Sequence, residues 1–279
     1  MKYADLHIHT NFSDGSMSPQ DVLQAAYDNG IDCIAISDHD TIMGIPVAVQ
    51  HAKKYGIEVI PGIELSTEIN GKDVHILGYL FDYNNTFLIE KLNQMQNVRI
   101  DRMRKMIDKL KELGIDGIKL DEVCALAESD SVGRPHLAMV LKKKGIVPDI
   151  KKAFERYIGD GGPAYVPKYK QTPIEAIKLI KSVGGVAVLA HPMLTNVDEL
   201  IPQFVKAGLV GIEAYYPNCS EKVIDFYKRI AAKHDLVVTG GSDAHGETTM
   251  HAPIGKIKIP YELVEQLKQA KQNLAVVDR

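Results

Sequence analysis

The sequence predicts a mainly parallel α/β barrel interrupted by a helical insertion. Two observations carry this. Short apolar runs alternate with amphipathic helical stretches along most of the 279 residues, and repeated βα units imply a parallel sheet. About seven such units over this length favour a closed barrel over an open sheet.

The elements follow in order. "YADLHIH" reads as a strand. In "SPQDVLQAAYDNG", Ser18 suits an N-cap, Pro19 the first helical position and Gly30 the stop. Strand "DCIAIS", helix "IPVAVQHAKKYG" and strand "IEVIPGIEL" come next. "STEINGKDVHILGYLF" holds two extended runs around Asn70-Gly71, a hairpin signal. From about residue 86 the rhythm breaks into helical periodicity alone. "FLIEKLNQMQNVRIDRMRKMIDKLKELG" is a long amphipathic helix with Leu92, Met95, Met103, Met106, Leu110 and Leu113 as its buried stripe. Shorter helices follow in "LDEVCALAE", "RPHLAMVLKKKG" and "DIKKAFERYIGDG". The rhythm then resumes: helix "TPIEAIKLIKSVGG", strand "VAVLAH", an irregular helix "VDELIPQFVKAG" around Pro202, strand "LVGIEAYY", helix "SEKVIDFYKRIAAKHD", strand "LVVTGGSDAH" and helix "YELVEQLKQAKQN". The organisation expected is a discontinuous barrel domain, 1–98 and 167–279, with a helical insertion, 99–166.

Composition excludes several classes. The chain is 45% hydrophobic and 25% charged, which does not suit a disordered protein. Thirty-three basic against 36 acidic residues give a net charge of −3. That is no basic excess of the kind a large nucleic-acid footprint needs, although a local basic cleft stays open. Cys33, Cys124 and Cys219 are odd in number and far apart, so reduced thiols are expected rather than disulfides or a thiolate zinc site. "MKYADLHIHT" lacks the apolar core of a signal peptide, and no run of about 18 apolar residues suits a membrane span. A cytoplasmic protein is expected.

The informative residues sit at the ends of the apolar runs. On a strand, His7 and His9 point the same way, with Asp14 in the loop beyond. Alone, that stretch fits either a metal site or an ordinary strand. But "CIAISDHD" ends in Asp38, His39 and Asp40, "VIPGIE" in Glu64, "VAVLAH" in His191, and "VVTGGSDAH" in Asp243 and His245, while "DVHIL" carries His75. In an α/β barrel the carboxyl ends of the strands open on one face, where active sites are built. Scattered surface histidines would not keep that phase. His7, His9, Asp14, His39, Glu64, His75, His191, Asp243 and His245 are therefore candidate ligands to two or three divalent ions, with a carboxylate bridging. Imidazole and carboxylate suit zinc, iron or manganese and do not choose among them. Three divalent ions against three carboxylates leave about three positive charges in the cleft. A phosphate dianion and a metal-bound hydroxide would neutralise them.

"DLHIHTNFSDG", "SDHDT", "PGIELS", "VHILGY", "LAHP" and "GSDAH" together resemble the polymerase and histidinol phosphatase (PHP) family of metal-dependent phosphoesterases. The resemblance runs from residue 5 to 245 and implies a distorted (β/α)7 barrel around a metal cluster. All nine candidates match the family's ligand positions. Carried over by position, one ion takes His7, His9, Glu64 and Asp243, a second Glu64, His75 and His191, and a third Asp14, His39 and His245. "GRPHLA" and "GDGGPAYVP" resemble the stand-alone branch that includes nucleoside 3′,5′-bisphosphate phosphatases.

The resemblance implies hydrolysis of a nucleotide phosphate monoester by a metal-bound hydroxide, with Glu64, Asp243 and His191 as catalytic ligands and the insertion covering the substrate. Arg134 and His136 open an insertion helix behind Pro135, where a helix N-terminus attracts anions and an arginine grips phosphate bidentately. They are candidate substrate contacts, as is Lys168 in "VPKYK". Asp38 and Asp40 either orient His39 or cap the loop. Gly15 suits a sharp turn near the site. His51, His234 and His251 lack such placement and are expected to be structural or solvated. A small phosphorylated substrate is expected as the partner, with no membrane and no stable nucleic acid. The alternatives are a 5′-3′ exonuclease on short RNA, a histidinol phosphatase, and a metal-stabilised binding module without turnover.

Overall fold

The computed structural model describes residues 1–126, 132–167, 171–246 and 252–277; Lys168 and His251 lie outside the described residues. The chain forms two compact units, Met1–Ile89 with Lys170–Arg279, and Glu90–Tyr169.

The first unit is an eight-stranded sheet wrapped by helices. Its strands are β1 (Tyr3–Ile8), β2 (Cys33–Ile36), β3 (Glu58–Ile69), β4 (Lys72–Tyr79), β5 (Val186–Leu189), β6 (Gly211–Tyr215), β7 (Val237–Gly240) and β8 (Ile259–Pro260), in the spatial order β7-β6-β5-β4-β3-β2-β1-β8. β1–β2, β2–β3, β5–β6 and β6–β7 are parallel pairs, as βα repeats require. β4 runs against both neighbours, because Asn70 (φ 53°) and Gly71 (φ 78°) turn β3 back on itself. That reversal is the distortion of the barrel. The sheet closes where Ile8 bridges Ala244 and the His9 N–H donates to the Ala244 carbonyl at 2.9 Å. β8 pairs antiparallel with the start of β1. It is two residues long, too short to leave a periodic signature.

The helices of this unit are α1 (Pro19–Asp28) and α2 (Gly44–Tyr55), then, beyond the second unit, α7 (Pro173–Ser182), α8 (Pro192–Thr195), α9 (Ile201–Ala207), α10 (Glu221–Lys233) and α11 (Tyr261–Val277). α1 is capped as its sequence suggests: the Ser18 side chain accepts from the Asp21 N–H and Pro19 opens the helix. A 3-10 turn, Asp198–Leu200, precedes α9, and Pro202 sits in that helix's first turn, where a missing N–H costs nothing. The barrel core is aliphatic, with Leu6, Ala35, Ile60, Leu77, Val188 and Leu267 fully buried or nearly so.

The second unit is helical. α3 (Thr86–Glu112) leads into it, followed by α4 (Leu120–Cys124), α5 (Arg134–Lys143), α6 (Ile150–Ala153) and a π-helical turn, Phe154–Ile158. Met103, Met106 and Leu110 of α3 pack with Val123, Leu137, Leu141 and Ile158 in a core of its own. Of the expected α3 stripe, Leu92 is also buried and Met95 half-buried. Leu113 is 48% exposed, because the helix ends at Glu112 and Gly114 (φ 79°) turns the chain away.

Candidate metal centre

The nine candidate residues converge in the first unit. His7 is the penultimate residue of β1, whose register against β2 shifts between Asp5 and Ile8. Strand alternation turns Leu6 into the core while His7 and His9 reach the site. Asp14 lies in the loop after β1, His39 in the loop after β2, His191 two residues past β5, and Asp243 and His245 past β7. Glu64 is placed differently from the reading that ends its strand there. β3 continues to Ile69, and Glu64 is opposite Leu77 while Ser66 is opposite His75. These four residues share one face of the β3–β4 hairpin, so Glu64 and His75 meet diagonally.

Glu64 occupies the centre. Its Oε1 lies 2.9 Å from His75 Nδ1 and 3.0 Å from His191 Nε2. Its Oε2 lies 3.3 Å from His7 Nε2, 3.2 Å from His9 Nε2 and 3.3 Å from His39 Nδ1. Asp243 Oδ1 is 3.3 Å from His7 Nε2 and 3.1 Å from His9 Nε2. Asp14 is 3.3 Å from His245 Nε2 and 3.7 Å from His39 Nε2. Among the described residues, three sets place donor atoms within 4.8 Å of one another: His7, His9, Glu64 and Asp243; His9, Asp14, His39 and His245; and His39, Glu64 and His75. The first is the ligand set the resemblance implies for one ion. The others differ from the implied partition in sharing His9 and His39 between sets, and His191 belongs to none of the three, although its Nε2 faces Glu64 Oε1 and its ring packs beside those of His7 and His75.

A cation suits this donor set. The Nε2 atoms of His7 and His9 lie 3.1 Å apart, a spacing at which two lone pairs repel unless a proton or a metal ion lies between them. His9 Nδ1 is buried and makes no hydrogen bond among the described residues, with Asp14 Oδ1 3.5 Å away. The donors are nitrogen and oxygen only; His7, His9, Glu64, His191, Asp243 and His245 are buried, His39 and His75 half-buried, and Asp14 exposed. Burial opposes charge on these groups, but their mutual attraction overcomes it. Glu213, Asp243 and Glu64 raise His7 well above the ordinary imidazole value, and Asp243 and Glu64 push His9 up to about 10. The imidazoles in turn hold Glu64, Asp14 and Asp243 well below the usual carboxylate range. His39 falls to about 4 through burial, with neighbouring His9 adding to the effect. The cluster thus attracts positive charge strongly, and a proton and a metal ion compete for the same nitrogens.

A ring of further side chains braces the site. Glu213, in the middle of β6, is fully buried, 3.0 Å from His7 Nδ1 and accepting from the His191 N–H at 2.8 Å. The Tyr216 hydroxyl donates to Asp243 Oδ2 at 2.7 Å, and its ring packs edge-on against His191. Sequence reasoning passed over both; the signal was a carboxylate inside the apolar run "LVGIEAYY". Asp38 pins the loop after β1, accepting from the Thr10 N–H, the Thr10 hydroxyl and the Ser13 hydroxyl, each at 2.7 Å. Asp40 accepts from the Ser66 N–H at 2.9 Å. Asp38 thus caps the loop after β1, while Asp40 ties the loop after β2 to strand β3. Gly15 lies against the His9 backbone, where an added Cβ would come within 2.5 Å of the His9 carbonyl oxygen. His191 (φ 25°) and Asp243 (φ 49°) hold left-handed backbone, a conformation that costs non-glycine residues energy and gathers at functional sites.

The remaining candidates lie elsewhere. Within the second unit, Arg134 ion-pairs with Asp160 at 2.7 Å and sits over the rings of Phe154 and Tyr165. His136 Nδ1 accepts from the Gly133 N–H at 3.0 Å, a helix-start bond. His51 contacts Gln20, and His234 follows the last residue of α10.

Comparison with known proteins agrees with this geometry. The PHP domain family model matches residues 5–158. The chain belongs to the PHP domain family. It is 36% identical over 249 residues to the 5′-3′ exoribonuclease of Haemophilus influenzae, covering 88% of this chain and 90% of that one. It is 31% identical over 250 residues to the 3′,5′-nucleoside bisphosphate phosphatase of Chromobacterium violaceum, covering 88% of each. A Chromobacterium violaceum protein solved as an amidohydrolase with bound sulfate superposes with a TM-score of 0.76 at 28% identity, over 96% of both chains. This PHP protein is a metal-dependent phosphoesterase, and its fold and resemblance are those its motifs predict. No helix among the described residues is long and apolar enough to cross a membrane.

Proposed function

We propose that this protein hydrolyses a phosphate monoester of a nucleotide, of the nucleoside 3′,5′-bisphosphate or AMP-like kind, at a centre of two or three divalent ions held by the nine residues above. The observation that carries the reading is the division of Glu64, whose two oxygens face different sets of imidazoles. A carboxylate so placed is suited to bridge two ions. Manganese, iron and zinc all fit nitrogen and oxygen donors. When bound, such ions activate water at neutral pH and offset charge on the phosphoryl oxygens.

The chain's own part is to place these donors and restrain them. Glu64, Asp243 and His191 form the catalytic ligand group, with Asp243 turned by Tyr216. Arg134, with His136 and Lys168, supplies the contact for a further phosphate. The three free thiols suit a reducing, cytoplasmic setting.

A second reading, stepwise 5′-3′ cleavage of short RNA, is favoured by the 36% identity to an exoribonuclease. Both use one chemistry at one site. Assays of phosphate release from 3′-phospho-AMP and of nucleotide release from a 5′-phosphorylated oligonucleotide, with manganese added, separate them. The proposal expects the first to proceed with the higher kcat/KM. Turnover of the oligonucleotide alone would assign the protein to the second reading, and turnover of neither would overturn both.

A further inference from the structure

Strand β6 contributes no metal ligand, yet it holds a buried carboxylate that reaches the site from behind. Glu213 is the middle residue of β6, fully buried, and its two oxygens reach two different strands. Oε1 is 3.0 Å from His7 Nδ1, at the end of β1, and Oε2 accepts from the His191 backbone N–H at 2.8 Å, just past β5. We propose that Glu213 is a positioning residue that fixes His7 as the Nδ1–H tautomer and locks the left-handed turn that presents His191. This rests on reading the nine-residue cluster as a metal centre.

A carboxylate only accepts hydrogen bonds, so the His7 nitrogen facing it carries the hydrogen. The other nitrogen, Nε2, then directs its lone pair toward Glu64 Oε2 and Asp243 Oδ1, both at 3.3 Å. In the opposite tautomer Nε2 would carry the hydrogen and bind no ion. The second oxygen does a different task. His191 adopts φ 25°, and its N–H is satisfied by Glu213 and not by a neighbouring strand. One side chain therefore sets the tautomer of one ligand and the backbone of another, across two strands. Partners of this kind, one bond out from the metal, set ligand orientation and basicity.

The amide variant discriminates between tautomer control and mere packing. Glu213→Gln keeps volume and shape, but one of its two terminal atoms becomes a donor. The His191 N–H is a fixed donor and demands the oxygen. The amide –NH2 must then face His7 Nδ1 and force the hydrogen onto Nε2. Titration of the full-length protein with Mn²⁺ by calorimetry is expected to show binding weakened 10–100-fold in Glu213→Gln, the range for losing such a partner. Long-range ¹H–¹⁵N spectra of zinc-loaded wild type provide a reading that needs no variant to fold: His7 should carry its proton on Nδ1 and none on Nε2. A protonated His7 Nε2 in wild type overturns the proposal, as does unchanged Mn²⁺ affinity in a folded variant. Wild type that binds neither Mn²⁺ nor Zn²⁺ overturns the metal reading itself and this inference with it.

Discussion

His75 Nδ1 lies 2.9 Å from Glu64 Oε1, while the other oxygen of the same carboxylate faces His7, His9 and His39. The antiparallel turn at Asn70-Gly71 makes this meeting happen, since it folds β4 back so that His75 and Glu64 share a face. A carboxylate that looks two ways is the element that would keep two cations together, and its charge matters as much as its shape.

Glu64→Gln should therefore abolish turnover. The amide retains the volume but loses the charge and one strong acceptor oxygen, leaving two cations less screened from each other. Near-normal kcat with full metal content in this variant would show that Glu64 does not bridge. The measurement is kcat beside elemental analysis of the same preparation.

The ligands were legible because barrel geometry carries strand ends to one face. His7, His39, His191, Asp243 and His245 each stand at or just past the end of an apolar run. Glu213 and Tyr216 were not legible, because they act through other side chains, and nothing local marks a carboxylate in the middle of "LVGIEAYY" as bonded to β1 and β5. Asp38 illustrates a different limit. Its position beside His39 suggests service to that residue, yet its carboxylate turns to Thr10 and Ser13 on the neighbouring loop. The two-residue β8 left no pattern to read, and Leu113 continues the helical period one residue past the helix end.

Arg134 gives a test of substrate recognition. Arg134→Ala should leave metal content unchanged and lower kcat/KM by about 1.5–3 kcal/mol, the range for a hydrogen bond to a charged group. The loss should be greater for a nucleoside 3′,5′-bisphosphate than for a small generic phosphate ester, because the further phosphate supplies the contact. Arg134→Lys should rescue poorly, since an ammonium lacks the planar fork. Equal kcat/KM for wild type and Arg134→Ala on both substrates would reduce Arg134 to its pairing with Asp160.

The last helix is tied to the start of β3 by charge. Lys268 Nζ lies 2.6 Å from Glu58 Oε1, and the Tyr261 hydroxyl also bonds Glu58. Partial burial opposes ionisation of Glu58, but Lys268 and Tyr261 outweigh it and lower its pKa below the ordinary 4.5. A lowered carboxylate pKa stabilises the fold above the unfolded value and loses that contribution as pH falls through the folded one. Both partners are about a third exposed or more, so the pair is worth about 0.5 kcal/mol. Lys268→Met should cost that amount near pH 7, and the difference from wild type should shrink as pH drops below about 4.5. Urea unfolding of both proteins from pH 3 to 8 measures it; a difference that grows on acidification would contradict the assignment.

The central claim is that this barrel holds a cluster of ions and not a single one. Nine donor residues, Glu64 among them, set the expectation, and the most direct check is metal stoichiometry. The protein is stripped with chelator, reconstituted with manganese, freed of excess ion and divided for elemental analysis and for a phosphatase assay. The account predicts at least two ions per chain, with activity lost on stripping and restored on reconstitution. Full activity with one ion per chain, or with none, would contradict it.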